Sequence, residues 1–315
     1  MKGSILAIPA VQGVSLYLPM GDGRLYRINA KDGRHEVIGK LEGRIPVTPG
    51  IRGDLLFLSI TGQDKRDLRA LMAYDLSTKK VIWQRPFRNA WSAPALSGET
   101  LYIGSEDGSV YAVDTGTGET RWRFSAPRQI RSSPVVKDNM VYAGSDDGLL
   151  YALDAQTGRK LWSFETGGSV STAPVVAHDA VYAASYDRSL YCIDRITGQL
   201  RWKFGTEGSL YGPPAIHENQ VFIGSNDRKV YCLETQTGKL RWQHETCGVV
   251  RAAPVVAGNR VYIVSTDRRL YALDTETGDL VWQYQTQGSL TVSPTLVDDL
   301  LIIGSEDRHL YAFKQ

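Results

Sequence analysis

Prolines return along this chain at a fixed interval. They stand at Pro9, Pro49, Pro94, Pro134, Pro174, Pro214, Pro254 and Pro294, forty residues apart at every step except the forty-five between Pro49 and Pro94. Trp83, Trp122, Trp162, Trp202, Trp242 and Trp282 keep the same period after a first step of thirty-nine. A period of this size implies one supersecondary unit per repeat, stacked on its neighbours because a single unit cannot bury its own apolar face. The 315 residues, enough on length alone for two domains, therefore read as one array, a single domain over 1–315.

Each unit carries four short apolar runs. In the fourth they are Ser-Ser-Pro-Val-Val (A), Val141-Tyr142-Ala143-Gly144-Ser145 (B), Leu150-Tyr151-Ala152-Leu153-Asp154 (C) and Leu161-Trp162-Ser163-Phe164 (D). They are rich in Val, Leu and Tyr and bounded by Asp-Gly and Thr-Gly pairs, which predicts strands joined by hairpins rather than helices. The B and C runs are apolar on both alternating faces, as in a sheet covered on both sides. Four such strands every forty residues predict an all-β fold, an eight-bladed β-propeller of four-stranded antiparallel blades.

The phrase Ala-x-Asp-x-x-Thr-Gly-x-x-x-Trp, at Ala152–Trp162 and Ala272–Trp282, closely resembles the tryptophan-docking motif of PQQ-like (quinoprotein-type) repeats, a family that includes BamB-like propellers. The resemblance implies that Trp83, Trp122, Trp162, Trp202, Trp242 and Trp282 dock on the neighbouring blade. Cys192 and Cys232 occupy the motif's small-residue site and read as packing residues. The recurrent Asp75, Asp114, Asp154, Asp194 and Asp274, with Glu234 once, are expected to accept N–H bonds in the C–D turn.

Blades are expected to start near residues 4, 44, 89, 129, 169, 209, 249 and 289. The first is degenerate, with Asn29 at the Asp site and Val37 where Trp belongs. The last runs out at Gln315 after strand C, so blade 8 is expected to have three strands. Residues outside this chain would supply the fourth if it is a module of a larger one. Lys314 would partly blunt the exposed edge.

A formal charge of +2, from 36 basic and 34 acidic residues, gives no global attraction to nucleic acid or anionic membrane. Three cysteines form no disulfide framework, and no apolar run reaches the length of a membrane span. The opening residues are too short an apolar run for a signal peptide and align with a repeat. Free cysteines suit a reducing compartment, whereas the family is often extracytoplasmic, so the compartment stays open.

By analogy with other propellers, function is expected on the face carrying the D–A loops and B–C turns, since loops on a rigid scaffold carry function. Three features fall there. The position three before each proline varies while its surroundings repeat: Leu6, Pro46, Trp91, Arg131, Ser171, Tyr211, Arg251 and Thr291. Trp91, Arg131, Tyr211 and Arg251 are candidates to clamp an anionic, flat or peptide ligand at the channel mouth; the alternative is a solvated rim. The B–C turn reads Asp-Gly in blades 1, 3 and 4 but Asp187-Arg188, Asp227-Arg228, Asp267-Arg268 and Asp307-Arg308 in blades 5 to 8, with Lys229, Arg269 and His309 beside them. This makes half the face more basic and suggests an acidic partner, against the plainer reading of an ordinary surface. The insertion Thr61–Arg69, with Lys65 and Arg66, lengthens the B–C turn of blade 2 and is either a partner-binding flap or an elaborated hairpin.

An enzyme is disfavoured. Quinoprotein dehydrogenases, as the resemblance implies, carry adjacent cysteines, calcium-binding carboxylates and long pocket-forming insertions, whereas no two cysteines here are adjacent. The five histidines have no metal-ligand spacing, and no nucleophile elbow or phosphate loop occurs. Cys247, near Arg251, has no base placed beside it by sequence and reads as an ordinary loop thiol. Almost every polar residue that looks catalytic recurs at the repeat interval. The expectation is a non-catalytic scaffold for a protein or peptide partner, with no cofactor, no metal and no nucleic acid. The runner-up is a small-ligand sensor at the channel mouth.

Overall fold

A computed structural model describes Ile5 and residues 7–62, 69–87 and 92–314. Among them the chain forms eight antiparallel sheets, seven of four strands and one of three, each in sequence order. Blade 4 shows the plan, with strands Val135–Lys137, Met140–Gly144, Leu149–Asp154 and Lys160–Glu165. Blade 8 ends at its third strand, Leu310–Lys314, as the repeat count predicts.

The paired part of each A strand starts just after its proline, at Ala10, Gly50, Ala95, Val135, Val175, Ala215, Val255 and Thr295. The blade starts read from sequence lie six residues before these strands, and those near residues 4 and 89 fall outside the described residues. Proline donates no N–H, so it sits comfortably where pairing begins. The lead-in is a wedge between blades: Ile130, Val170, Leu210 and Val250 are at most 1% exposed. Their amides bond to Ser105, Ser145, Ser185 and Ser225 of the preceding unit.

In blades 2 to 6 the tryptophan of strand D bolts its blade to the next, while Trp282 of blade 7 meets the Phe313 ring of blade 8 with centroids 5.7 Å apart. Trp122 Nε1 donates to Ala155 O at 2.9 Å, Trp162 to Arg195 O at 3.1 Å, and Trp83, Trp202 and Trp242 to Thr115, Thr235 and Thr275 at 2.8 Å. The indole lies over the turn glycine of that neighbour. At Gly158, with φ of 71°, an added Cβ would lie 2.5 Å from Trp122 Cε3. Beneath it packs the aromatic ring of its own B strand, as in the pairs Tyr142–Trp162 and Tyr182–Trp202 with centroids 5.8 Å apart. Cys192 and Cys232 pair with Trp202 and Trp242 across strands C and D. Both are buried, and burial pushes their thiols up, to about 11 and about 12.

Blade 1 departs from the plan by a shifted bulge. In blade 4 the bulge skips Leu161, so that Trp162 opposes Ala152. In blade 1 it skips Ile38, leaving Val37 opposite Tyr26 and 50% exposed. Ile38 is the residue that packs on blade 2, where Tyr74 Oη donates to its carbonyl at 2.5 Å. Blade 8 closes on blade 1 through Val297 and Ile302 against Leu16, Leu18 and Tyr26. Among the described residues every hydrophobic cluster lies at such a junction, with no common centre.

Candidate functional site

The turn aspartates are structural on both faces. In the C–D turn, Asp154 Oδ1 accepts the amides of Gln156 and Thr157 at 3.0 and 2.8 Å, and Asp75, Asp114, Asp194 and Asp274 repeat the pattern. Glu234, one methylene longer, takes only the Thr237 hydroxyl, at 2.7 Å. In the B–C turn, Tyr111, Tyr151, Tyr231, Tyr271 and Tyr311 donate to Asp107, Asp147, Asp227, Asp267 and Asp307 at 2.5–2.9 Å, and Tyr191 donates to Asp187. From blade 5 onward the same carboxylate also accepts an amide from the preceding blade's D–A loop. The donors are Gly167, Glu207, Cys247 and Gln287. Burial alone would raise Asp187, but the Tyr191 hydroxyl, the Gly167 amide, Ser185 and nearby Lys203 hold it below the ordinary value. Desolvation and the Asp267 partner push Tyr271 up to about 12.

The residue after each of these aspartates keeps the backbone of a glycine. Gly148 has φ of 88°, and Arg188, Arg228, Arg268 and Arg308 have φ of 70°, 69°, 71° and 70°. An arginine in the left-handed region is strained where glycine is not. The D–A loop demands that conformation: Thr206 Oγ1 bridges Arg188 O at 3.0 Å and Gly208 O at 2.7 Å, and Thr246 and Thr286 do the same on Arg228 and Arg268. In blades 1 and 3 only glycine fits, because a Cβ on Gly23 or Gly108 would lie 2.4 or 2.8 Å from a carbonyl. In blade 4 the gap widens to 3.4 Å, which makes room for a side chain.

All four arginines are exposed. Arg228 pairs with Glu245 at 3.8 Å, and no ion pair of Arg188, Arg268 or Arg308 occurs among the described residues. Their cationic neighbours are committed elsewhere. Lys229 bonds Glu207 at 3.1 Å, Arg269 donates to Cys247 Sγ at 3.4 Å, and His309 contacts Asp307 at 3.1 Å.

At the channel mouth the structure brings Tyr211 and Arg251 together and gives Arg131 partners of its own. Arg131 lies between Glu106 at 3.6 Å and Asp146 at 3.5 Å, so its charge is met from two adjacent blades. Asp146 also accepts the Ser171 hydroxyl at 2.6 Å. Tyr211 stacks on Tyr186 with centroids 4.4 Å apart, and Arg251 lies over the Tyr211 ring at 5.1 Å while donating to Asn226 at 3.1 Å. A cavity of about 230 Å³ opens on the channel, lined by Pro46, Arg251, Thr291 and small residues of the A-strand lead-ins; Arg131 and Tyr211 stay outside it. Leu6, Trp91, Lys65 and Arg66 fall outside the described residues.

Glu106, Asp146, Tyr186, Asn226 and Glu306 belong to this rim and escaped the sequence reading. Their signal was present: the position before the turn aspartate varies from unit to unit while its neighbours repeat. Among the described residues no group of His, Cys, Asp and Glu is arranged to hold a metal ion, and no helix is long and apolar enough to cross a membrane. The B–C turn aspartates of blades 3 to 8 are each engaged by a tyrosine hydroxyl and by a backbone amide two residues on, and the C–D turn aspartates by turn amides and hydroxyls, an arrangement that does not fit a quinone–calcium centre.

Comparison with solved structures places the same ring in proteins of distant sequence. BamB from Moraxella catarrhalis superposes with a TM-score of 0.84 at 20% identity, covering 100% of this chain and 98% of that one. Sqt1 from Saccharomyces cerevisiae gives 0.84 at 14%, over 99% and 96%. A quinohemoprotein alcohol dehydrogenase from Pseudomonas putida gives 0.77 at 16%, over 96% of this chain and 70% of that one. The PQQ-like, BamB-like propeller expected from the repeat motif is thus the fold observed. A search of curated protein sequences returns no match. Residues 92–315, more than two thirds of the length, match the profile of the family described as "Beta-alanine-activating enzyme, beta-propeller", and the chain belongs to that family.

Proposed function

We propose that this propeller is a non-catalytic scaffold whose B–C turns in blades 5 to 8 hold an acidic protein or peptide segment. The observation that carries this reading is the row of four exposed arginines kept in a left-handed backbone, each following a turn aspartate that is consumed in internal hydrogen bonds; among the described residues only Arg228 has an ion-pair partner, Glu245. Strained non-glycine residues persist where they are useful. The family's name ties such a propeller to an activating enzyme, and here it would serve as a binding module rather than a reaction centre. The test is fluorescence anisotropy of a labelled oligoglutamate peptide. Affinity is expected to fall with added salt and to be lost when all four arginines become glutamine. Binding indifferent to salt, or retained by that variant, overturns the proposal.

A second reading, a small anionic ligand at the channel mouth, draws on the cavity that Arg251 lines. It predicts that Arg251→Ala abolishes binding while Arg131→Ala, already neutralised by Glu106 and Asp146, matters little.

A further inference from the structure

The opposite face, carrying the A–B and C–D turns, holds a cleft of about 240 Å³ at the junction of blades 5 and 6. The repeat supplies its own controls, because equivalent positions at the neighbouring junctions are filled. Strand B begins with Thr100, Met140, Ala180 and Gln220 in blades 3 to 6. In blade 3, Arg121 spans two acceptors: Nη2 donates to Asp114 and Nη1 donates to the Thr100 hydroxyl at 2.9 Å. Between blades 4 and 5 the junction is occupied by Met140 and by Arg195, whose side chain is 16% exposed and pairs with Asp138 at 3.2 Å and Asp179 at 3.7 Å. Between blades 6 and 7, Gln220 donates to Thr275 O at 2.9 Å and to Glu276 Oε1 at 3.1 Å.

At the junction of blades 5 and 6 these fillings are withdrawn together. Ala180 stands where blade 3 has threonine, and Thr235 stands where the preceding turn has Arg195. Arg201 keeps its bond from Nη2 to Asp194 at 2.6 Å, but its Nη1 has no partner among the described residues. Asn219 lines the same cleft, and His178, also in the lining, bonds Glu218 O at 3.2 Å. Asp179, where the flanking units have Asn139 and Asn219, adds an exposed carboxylate to the wall, with Oδ1 near Arg195 and Oδ2 left for a ligand.

We infer that this cleft binds a small amino-acid-like zwitterion, its carboxylate on Arg201 Nη1 where the missing threonine hydroxyl would sit and its ammonium toward Asp179. An unpaired guanidinium edge and a carboxylate lining one cleft suit a ligand with both charges, and charge-assisted bonds of this kind are the strong ones. The volume is below that of drug-sized sites and matches a metabolite of a few heavy atoms. The inference is independent of the scaffold reading, which concerns the other face.

Isothermal titration calorimetry with glycine, 4-aminobutyrate and 6-aminohexanoate tests it, the three probes differing only in the separation of the charges. At least one is expected to bind saturably and more tightly than acetate or methylammonium. Ala180→Thr restores the arrangement that blade 3 already tolerates, so it is expected to fold with unchanged melting temperature while weakening binding by about tenfold or more. Asp179→Asn, at an exposed turn, is expected to weaken the zwitterion while acetate binds no more weakly than to the parent. Absence of saturable binding by all three probes, or equal binding by the parent and Ala180→Thr, overturns the inference.

Discussion

Replacing Arg188, Arg228, Arg268 and Arg308 by glycine is expected to stabilise the propeller while removing four charges from its surface. Each arginine holds φ near 70°, a conformation that costs a non-glycine residue about 1–2 kcal/mol. Glycine avoids that cost but loses more freedom on folding, about 0.5–1 kcal/mol. The net gain is therefore about 0.5–1 kcal/mol per turn. Gly148 shows that the same hairpin accepts glycine without rearrangement. The four turns lie in separate blades with no shared side-chain partner, so the effects add to about 2–4 kcal/mol. For a chain of this size that corresponds to a rise of about 4–8 °C in melting temperature. The assay is thermal unfolding of the quadruple variant beside the parent, followed by tryptophan fluorescence. A melting point equal to or below the parent's refutes the argument that these residues are strained, and with it the main support for a functional reason to keep them. A more stable variant that no longer binds oligoglutamate would be the stability–function exchange expected of a binding surface.

Gly158→Ala is expected to destabilise by about 2–4 kcal/mol, adding left-handed strain to displacement of the Trp122 indole, which also loses its bond to Ala155 O. The check is a lower urea midpoint with a shifted emission maximum. Acid should loosen the C–D turns. Bonds from Arg121 and the Thr117 amide hold Asp114 down at about 2, against an ordinary 3.8. A carboxylate depressed in the folded state contributes stability above its unfolded value and loses it as pH falls. Melting temperatures should therefore drop between pH 4 and pH 2, and Asp114→Asn should flatten that drop. Cys247 is exposed and the other two cysteines are buried, so a thiol reagent should titrate one thiol in the native protein and three after unfolding.

The ring was legible because its determinants are local and repeated. A proline, a Thr-Gly turn and a tryptophan at constant spacing specify strand order and blade count without long-range information. The shifted bulge in blade 1 was not legible: whether Val37 or Ile38 faces the neighbour depends on which residue the pairing skips, and both are apolar. The site was only half visible. The variable position three before each proline was found, but Arg131 needed its partners Glu106 and Asp146 in place before its charge could be seen as neutralised. Those partners come from hairpins 15 and 25 residues away, brought beside it by the stacking of blades. The cleft at Ala180 has no motif at all, since it arises where Ala180 is smaller than Thr100, Met140 and Gln220 and where Thr235 replaces the Arg195 of the preceding turn.

Each tryptophan points the same way round, from one unit to the glycine of the next, and the same few atoms meet at every joint from Trp83 to Trp242. A joint of this kind does not distinguish its partner. With residues 169–208 excised, Trp162 would meet Gly238 and the carbonyl of Thr235 in place of Gly198 and Arg195, and the tryptophan joint itself would not report the loss. The number eight is therefore written in no single contact; it is a property of the angle accumulated around the whole circle. Units can in principle be duplicated or removed so long as the circle still closes, which leaves the loops above each joint free to differ.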